Sequence, residues 1–308
     1  MLDLLKMKAH LVSLFCFTLL TTQACTDQIE WQTIRTPHFV VYYTATCEES
    51  ALRVADICEE WHTKLRRKME YNPGGGIPVY LYPNRRAFAD ATGMDPADPV
   101  VGIAHTRTRK IRIDASGLFT DVDKVVPHEL VHVFMSVQVR HNRTRIPLWF
   151  SEGLAKYLAD DWTASDAETL ADAAVKGKLL SLSEIAFAFP AERYDRAVAY
   201  AQSYSFLKYI ADQRSPAIIP VLLETLQRGE TFESAFQFSV GATPKEYEEE
   251  WRQYLWEEYS LTRWSKLFSG LASAVMAVLA ILAFRARVVR KRLLAKQMES
   301  EGLDQTGE

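Results

Sequence analysis

Two histidines four residues apart, with a glutamate between them, stand at His128, Glu129 and His132 in the stretch VVPHELVHVFM. On a helix, positions i and i+4 share a face, so both imidazoles would point the same way, one turn apart. Neutral imidazoles with this spacing suit two corners of a tetrahedral zinc site. Glu129 would then lie beside the metal rather than on it. There a carboxylate can take a proton from activated water and return it to a leaving amine. A catalytic site of this kind needs a third protein ligand and one open position.

The obstacle is Pro127, directly before His128, because proline inside a helix forfeits a hydrogen bond. The first four N–H groups of a helix have no internal partner, so a proline among them loses nothing. Asp121 and Asp123 are both acceptable N-caps. Capping at Asp123 places Pro127 at the fourth helical position and predicts a helix over 123–138. Val126 is the weak point of that start, since a residue before proline disfavours helical geometry.

For the third ligand, the extended form H-E-x-x-H-x-x-G-x-x-H fails, because Met135 and Gln138 occupy the glycine and histidine positions. The candidate is Glu152, in PLWFSEGLAKYLAD (147–160). Pro147 and Ser151 offer start signals for a helix that Glu152 would enter on the first turn. The plain alternative is a glutamate favoured there by the helix dipole. His105 and His141 are spare histidines, read as surface or satisfied residues rather than ligands.

These residues need a frame. HFVVYYTA (38–45) reads as a strand, followed by a helix over 48–69, the turn YNPGGG and a second strand, IPVYLYP. A short helix fits 84–92, and a strand region with a turn near Thr106–Arg109 fits 100–114. Beyond Asp121 the pattern is helical, with further helices over 150–160, 164–177, 192–213, 217–228, 231–238 and 244–259. Strands first and helices afterwards predict an α+β fold: a small N-terminal sheet with helices, then a mostly helical C-terminal part.

Both ends of the chain are apolar. Lysines at 6 and 8, the run Leu11–Leu20, and small residues Thr22 and Ala24 before Cys25 have the layout of a secretory signal peptide over 1–24. Cys25 leaves lipidation open, although Thr22 stands where an aliphatic residue is usual. Leu267–Phe284 carries no charge and is followed by Arg285, Arg287, Arg290, Lys291 and Arg292. It reads as a transmembrane helix over 265–285 with a cytoplasmic tail, 286–308. The expected location is therefore the cell membrane, single-pass through the lipid bilayer. The domain 25–262 would lie outside the cytoplasm, periplasmic or extracellular. A net charge of −3 gives no argument for nucleic acid as a partner. Cys47 and Cys58 flank most of one predicted helix, roughly 16 Å apart, beyond the ~7 Å that a disulfide spans; a Cys25–Cys47 bridge stays open. Asn142-Arg143-Thr144 fits a glycosylation sequon.

H-E-L-V-H followed by W-F-S-E-G-L-A resembles the gluzincin metallopeptidases, most closely the peptidase MA-like group. The likeness extends to Trp31 and HFVVYYTA, to 100–114 and to AYAQSYSFLKYI (199–210), covering most of residues 30–258. The resemblance implies a zincin-like domain holding one zinc ion per chain. His128, His132 and Glu152 would be its ligands and Glu129 the general base and acid. It also implies an electrophilic stabiliser on the helix after the site, usually a tyrosine. Tyr200 fits this role, with Tyr204 as the runner-up. Two departures stand out. The aminopeptidase branch carries G-x-M-E-N on the strand edging the cleft, and Gly102-Ile103-Ala104-His105-Thr106 keeps only the glycine. Thermolysin-like enzymes have an aspartate four residues beyond the glutamate ligand, and Lys156 stands there.

The expected function is a membrane-anchored extracytoplasmic zinc metallopeptidase, an endopeptidase on peptide or protein substrates. The strand region 100–114 would pair with an extended peptide, and its basic tip RTRK (107–110) would favour acidic ones. Two other readings remain open: a zinc-stabilised binding or assembly module without turnover, and a hydrolase of another amide such as a cell-wall peptide.

Overall fold

The computed structural model describes residues 29–117, 121–141 and 144–304, apart from the side chains of 260–272, 289 and 292–304. The signal-peptide segment, Cys25 and the first two sequon positions lie outside the described residues.

Alternating burial in FVVYY and IPVYLY sets the sheet's inner face. Phe39, Val41 and Tyr43 of β2 (Phe39–Tyr43) and Ile77, Val79 and Leu81 of β3 (Ile77–Tyr82) all point into the core. With β1 (Gln32–Arg35), β4 (Gly102–His105) and β5 (Lys110–Asp114) they form a five-stranded sheet, order β1-β2-β3-β5-β4. β2, β3 and β5 run parallel; β1 and β4 are antiparallel edges. The helix α1 (Glu48–Lys68) covers the inner face, and α2 (Arg85–Thr92) packs near β3 and β5. On the outer face Tyr42 stacks on Tyr80 at 4.5 Å, and Trp31 packs edge-on against Tyr80 and Tyr82.

Past the sheet the chain is helical: α3 (Val122–Gln138), α4 (Leu148–Leu158), α5 (Ala164–Lys176), α6 (Arg193–Arg214), α7 (Ile218–Gln227), α8 (Phe232–Val240) and α9 (Pro244–Asp304). Trp149, Phe150, Phe206, Phe232, Phe236 and Trp251 form the aromatic heart of this half.

Two parts of the expected fold are corrected. The class is not α+β: α1 joins β2 to its parallel neighbour β3, and α2 lies between β3 and β5, at the places where the sequence pattern puts helices. Parallel strands cannot be linked by a tight turn and need such a crossover. The architecture is therefore mixed α/β at the N-terminal sheet with a mostly helical remainder. The second correction concerns 265–285. That run is part of α9, and among the described residues no helix is long and apolar enough to cross a membrane.

Smaller differences lie at helix starts. α3 begins at Val122 with Asp121 as its cap, the Asp121 carboxylate accepting from the Asp123 N–H at 3.2 Å. Counting from Val122, Pro127 is the sixth helical residue, so the Asp123 carbonyl lacks its helical donor. Pro127 and Val126 are both buried, and that apolar burial offsets the loss. α4 starts two residues earlier than expected, so Glu152 falls on its second turn.

Candidate metal centre

α3 runs beneath the sheet, held by the burial of Leu130, Val131, Val133 and Phe134. That fixes its opposite face, which carries His128 and His132, toward a cleft. α4 brings Glu152 to the same place, anchored by Trp149, Phe150 and Leu154 in the core. A glycine next to Glu152 lets α4 approach α6 closely. A Cβ on Gly153 would lie 2.4 Å from the Ser203 carbonyl oxygen, a distance no side chain tolerates.

The three side chains converge. His128 Nε2 lies 3.3 Å from His132 Nε2 and 3.3 Å from Glu152 Oε2, and His132 Nε2 is 3.6 Å from Glu152 Oε1. An ion held tetrahedrally with bonds of about 2.0–2.1 Å has ligand-to-ligand edges of roughly 3.3–3.4 Å. The donor set therefore fits a small tetrahedral cation, in type and in spacing, and leaves one corner open. It is the one group of three potential metal ligands found among the described residues.

Electrostatics follow from the packing. Burial would raise the Glu152 pKa, but the two imidazoles outweigh it and hold the carboxyl well below the usual range. Burial likewise works against protonation of His132, and Glu152 and Glu129 reverse that, raising its pKa. Glu129 does not join the ligand set. Its carboxyl is buried, which raises its pKa. Glu152 adds to the rise, and the imidazoles and the Ala104 backbone N–H oppose it. A carboxylate poised upward from its ordinary value suits proton transfer near neutral pH. Gly102 makes the arrangement possible: a Cβ there would meet Val125 Cγ1 at 2.4 Å and Glu129 Cγ at 3.2 Å.

The cleft, 690 Å³, is lined by His128, Glu129, His132 and Glu152, with Tyr200 and edge strand β4 as its walls. The structure separates the two tyrosines of α6. Tyr200 faces the cleft, packed edge-on against Phe189 at 4.9 Å; burial, then Glu152 and Glu129, raise its pKa, so the hydroxyl stays protonated. Tyr204 stacks on Trp162 at 4.4 Å and does not line the cleft. His105 ends β4, and His141 is exposed; neither belongs to the ligand group.

One feature was not anticipated from sequence. Ser151 Oγ lies 3.1 Å from His132 Nδ1. With Nε2 on a metal, Nδ1 would carry the proton and donate it to the serine oxygen. Lys156, four residues beyond Glu152, is buried and paired with Asp161 at 3.2 Å and Asp166 at 3.4 Å. It thus belongs to the α4–α5 junction. Cys47 and Cys58 are buried free thiols.

The sequence profile of the Peptidase MA superfamily matches residues 59–257. Among solved structures, native yeast LTA4 hydrolase aligns over 75% of this chain and 39% of its own, at 10% identity and a TM-score of 0.43. A mutant M1 zinc metallopeptidase from Deinococcus radiodurans, bound to a Tyr-Ser-Ala substrate, aligns over 73% of this chain and 50% of its own. Its identity is 16% and its TM-score 0.37. The chain spans half or less of the length of these two proteins. No curated protein sequence matches it significantly.

Proposed function

The chain belongs to the Peptidase MA superfamily, and on that premise we propose that it is a zinc metallopeptidase hydrolysing peptide bonds at the His128–His132–Glu152 centre. The observation that carries this reading is the buried Glu129 beside an open-cornered ligand set. A structural metal site has no use for a base held there. Zinc, when bound, supplies Lewis-acid polarisation of the scissile carbonyl and an acidified water.

The chain's own residues do the rest. His128, His132 and Glu152 hold the ion, and Ser151 fixes the tautomer and orientation of His132. Glu129 accepts the proton of the attacking water on its carboxylate and delivers it to the leaving amine. The Tyr200 hydroxyl, kept protonated, donates a hydrogen bond to the oxyanion that forms on the substrate carbonyl. The free edge of β4 offers main-chain donors and acceptors to a substrate lying extended along the cleft.

Endopeptidase action is favoured. Gly102-Ile103-Ala104-His105-Thr106 has no carboxylate to hold a substrate's free amine, so the cleft has nothing on that strand to select a chain end. The test is metal analysis with a peptidase assay on a mixed peptide library and cell-wall peptides, for wild type and Glu129→Gln. Both forms should bind one zinc, and only wild type should cleave, in a chelator-sensitive way. If both bind zinc and neither cleaves any amide, the hydrolase reading is lost.

A further inference from the structure

We propose that this cleft selects peptides carrying an acidic side chain two or three residues from the cleaved bond, recognised by Arg107 and Arg140. The proposal deepens the peptidase reading and rests on it for the position of the cleaved bond.

On α3, His128, His132 and Ser136 follow one another at intervals of four, so they share one side of the helix, and Arg140 lies one interval further on, just past its end. β4 runs alongside. Gly102 packs against Val125 and Glu129, Ala104 donates its N–H to Glu129, and the Ser136 hydroxyl reaches the Thr106 carbonyl at 3.5 Å. A peptide laid along β4 past the ligand cluster is therefore led to the β4–β5 turn. Thr106 lines the cleft and two hollows that continue from it, of 480 and 410 Å³. Ionisable residues lining these hollows are His105, Arg107, Arg109 and Arg140; no carboxylate is among them.

These cations are not spent on structure. Arg107 and Arg140 are exposed. Neither makes a side-chain hydrogen bond or ion pair among the described residues. Arg109 reaches the Gly75 carbonyl at 3.3 Å and leaves its Nε unpaired. β4 ends at His105 and Arg107 stands two residues further on, in the turn, which sets the acidic residue two or three positions from a bond cleaved beside Ala104. A free amine at this end of the cleft would meet only positive charge, which agrees with cleavage inside a chain.

The experiment uses the full-length, zinc-loaded chain and internally quenched peptides differing only by Glu or Gln at single positions on either side of the cleaved bond. Wild type should prefer Glu by about five- to tenfold in kcat/KM at one such position, and the preference should shrink as salt rises. In the Arg107→Gln/Arg140→Gln double variant the Glu-to-Gln ratio should fall toward one. A ratio of one in wild type, or an unchanged ratio in the double variant, overturns the proposal. Fluorescence anisotropy of the same peptides on Glu129→Gln separates the two readings. If nothing is cleaved, the peptidase reading falls, and the Glu-to-Gln ratio of Kd values, with and without the arginines, decides this one alone.

Discussion

Ser151 Oγ and His132 Nδ1 lie 3.1 Å apart, so the residue just before one candidate ligand touches another candidate ligand on a different helix. This couples the placement of Glu152 to that of His132, because α4 carries both Ser151 and Glu152. Ser151→Ala removes the acceptor and leaves the imidazole free to turn. Zinc affinity should fall about 10- to 100-fold, read by competition with a fluorescent chelator. Metal-free stability should drop by only about 0.5–1.5 kcal/mol. Unchanged affinity would mean that His132 is held by its packing alone.

The two tyrosines of α6 give opposite expectations. Tyr200→Phe keeps the ring against Phe189 and removes only the hydroxyl that faces the cleft. Loss of one oxyanion donor costs about 10²–10³ in kcat, with KM little changed. Tyr204→Phe, stacked on Trp162 away from the cleft, should leave kcat within about twofold, as expected of a residue outside the reacting centre. Equal losses from both variants would remove Tyr200 from the mechanism.

Much of this site could be read from the chain. His128 and His132 needed only helical periodicity, and Glu152 needed only a second helix soon after. What could not be read depended on contacts between elements. Tyr200 and Tyr204 are one turn apart on the same helix, and only the docking of α4 and Trp162 against α6 decides which one meets the cleft. The hydrogen bond from His132 to Ser151 joins two helices whose relative rotation no local pattern fixes. The α+β class was misjudged because strand pattern alone does not say that β2, β3 and β5 are parallel. Pro127 suggested a helix capped at Asp123, whereas the Asp121 side chain captures the first turn and the buried proline is tolerated two residues deeper.

Gly153 offers a test of packing in which two effects have opposite signs. Alanine is the better helix former by about 1 kcal/mol, so propensity alone predicts stabilisation. The Cβ would sit 2.4 Å from the Ser203 carbonyl oxygen, and backbone cannot swing aside as a side chain can. Gly153→Ala should therefore destabilise by about 1–3 kcal/mol, measured by denaturant unfolding. It should also weaken zinc binding, since α4 must shift and takes Glu152 with it. A more stable variant would show that α4 and α6 are not held in this contact.

His62 predicts a pH-dependent stability separate from the metal centre. Its ring is fully buried, stacked on His38 at 3.8 Å and edge-on to Phe134, and neither nitrogen has a hydrogen-bond partner among the described residues. Burial first, then His38 and Arg66, with Glu59 opposing, lower its pKa to about 4. The unfolded chain binds this proton from about pH 6.5 downward, while the folded chain resists until about pH 4. Across that window the unfolded state holds more protons, so stability is full above about pH 6.5 and is lost as pH falls. The group contributes a slope of up to about 1.4 kcal/mol per pH unit. His62→Phe fills the same space without a titrating group or unpaired polar atoms. Unfolding free energies at pH 7 and pH 5 should show the variant gaining on wild type as the solution is acidified. A difference that stays constant between the two would place the acid sensitivity elsewhere.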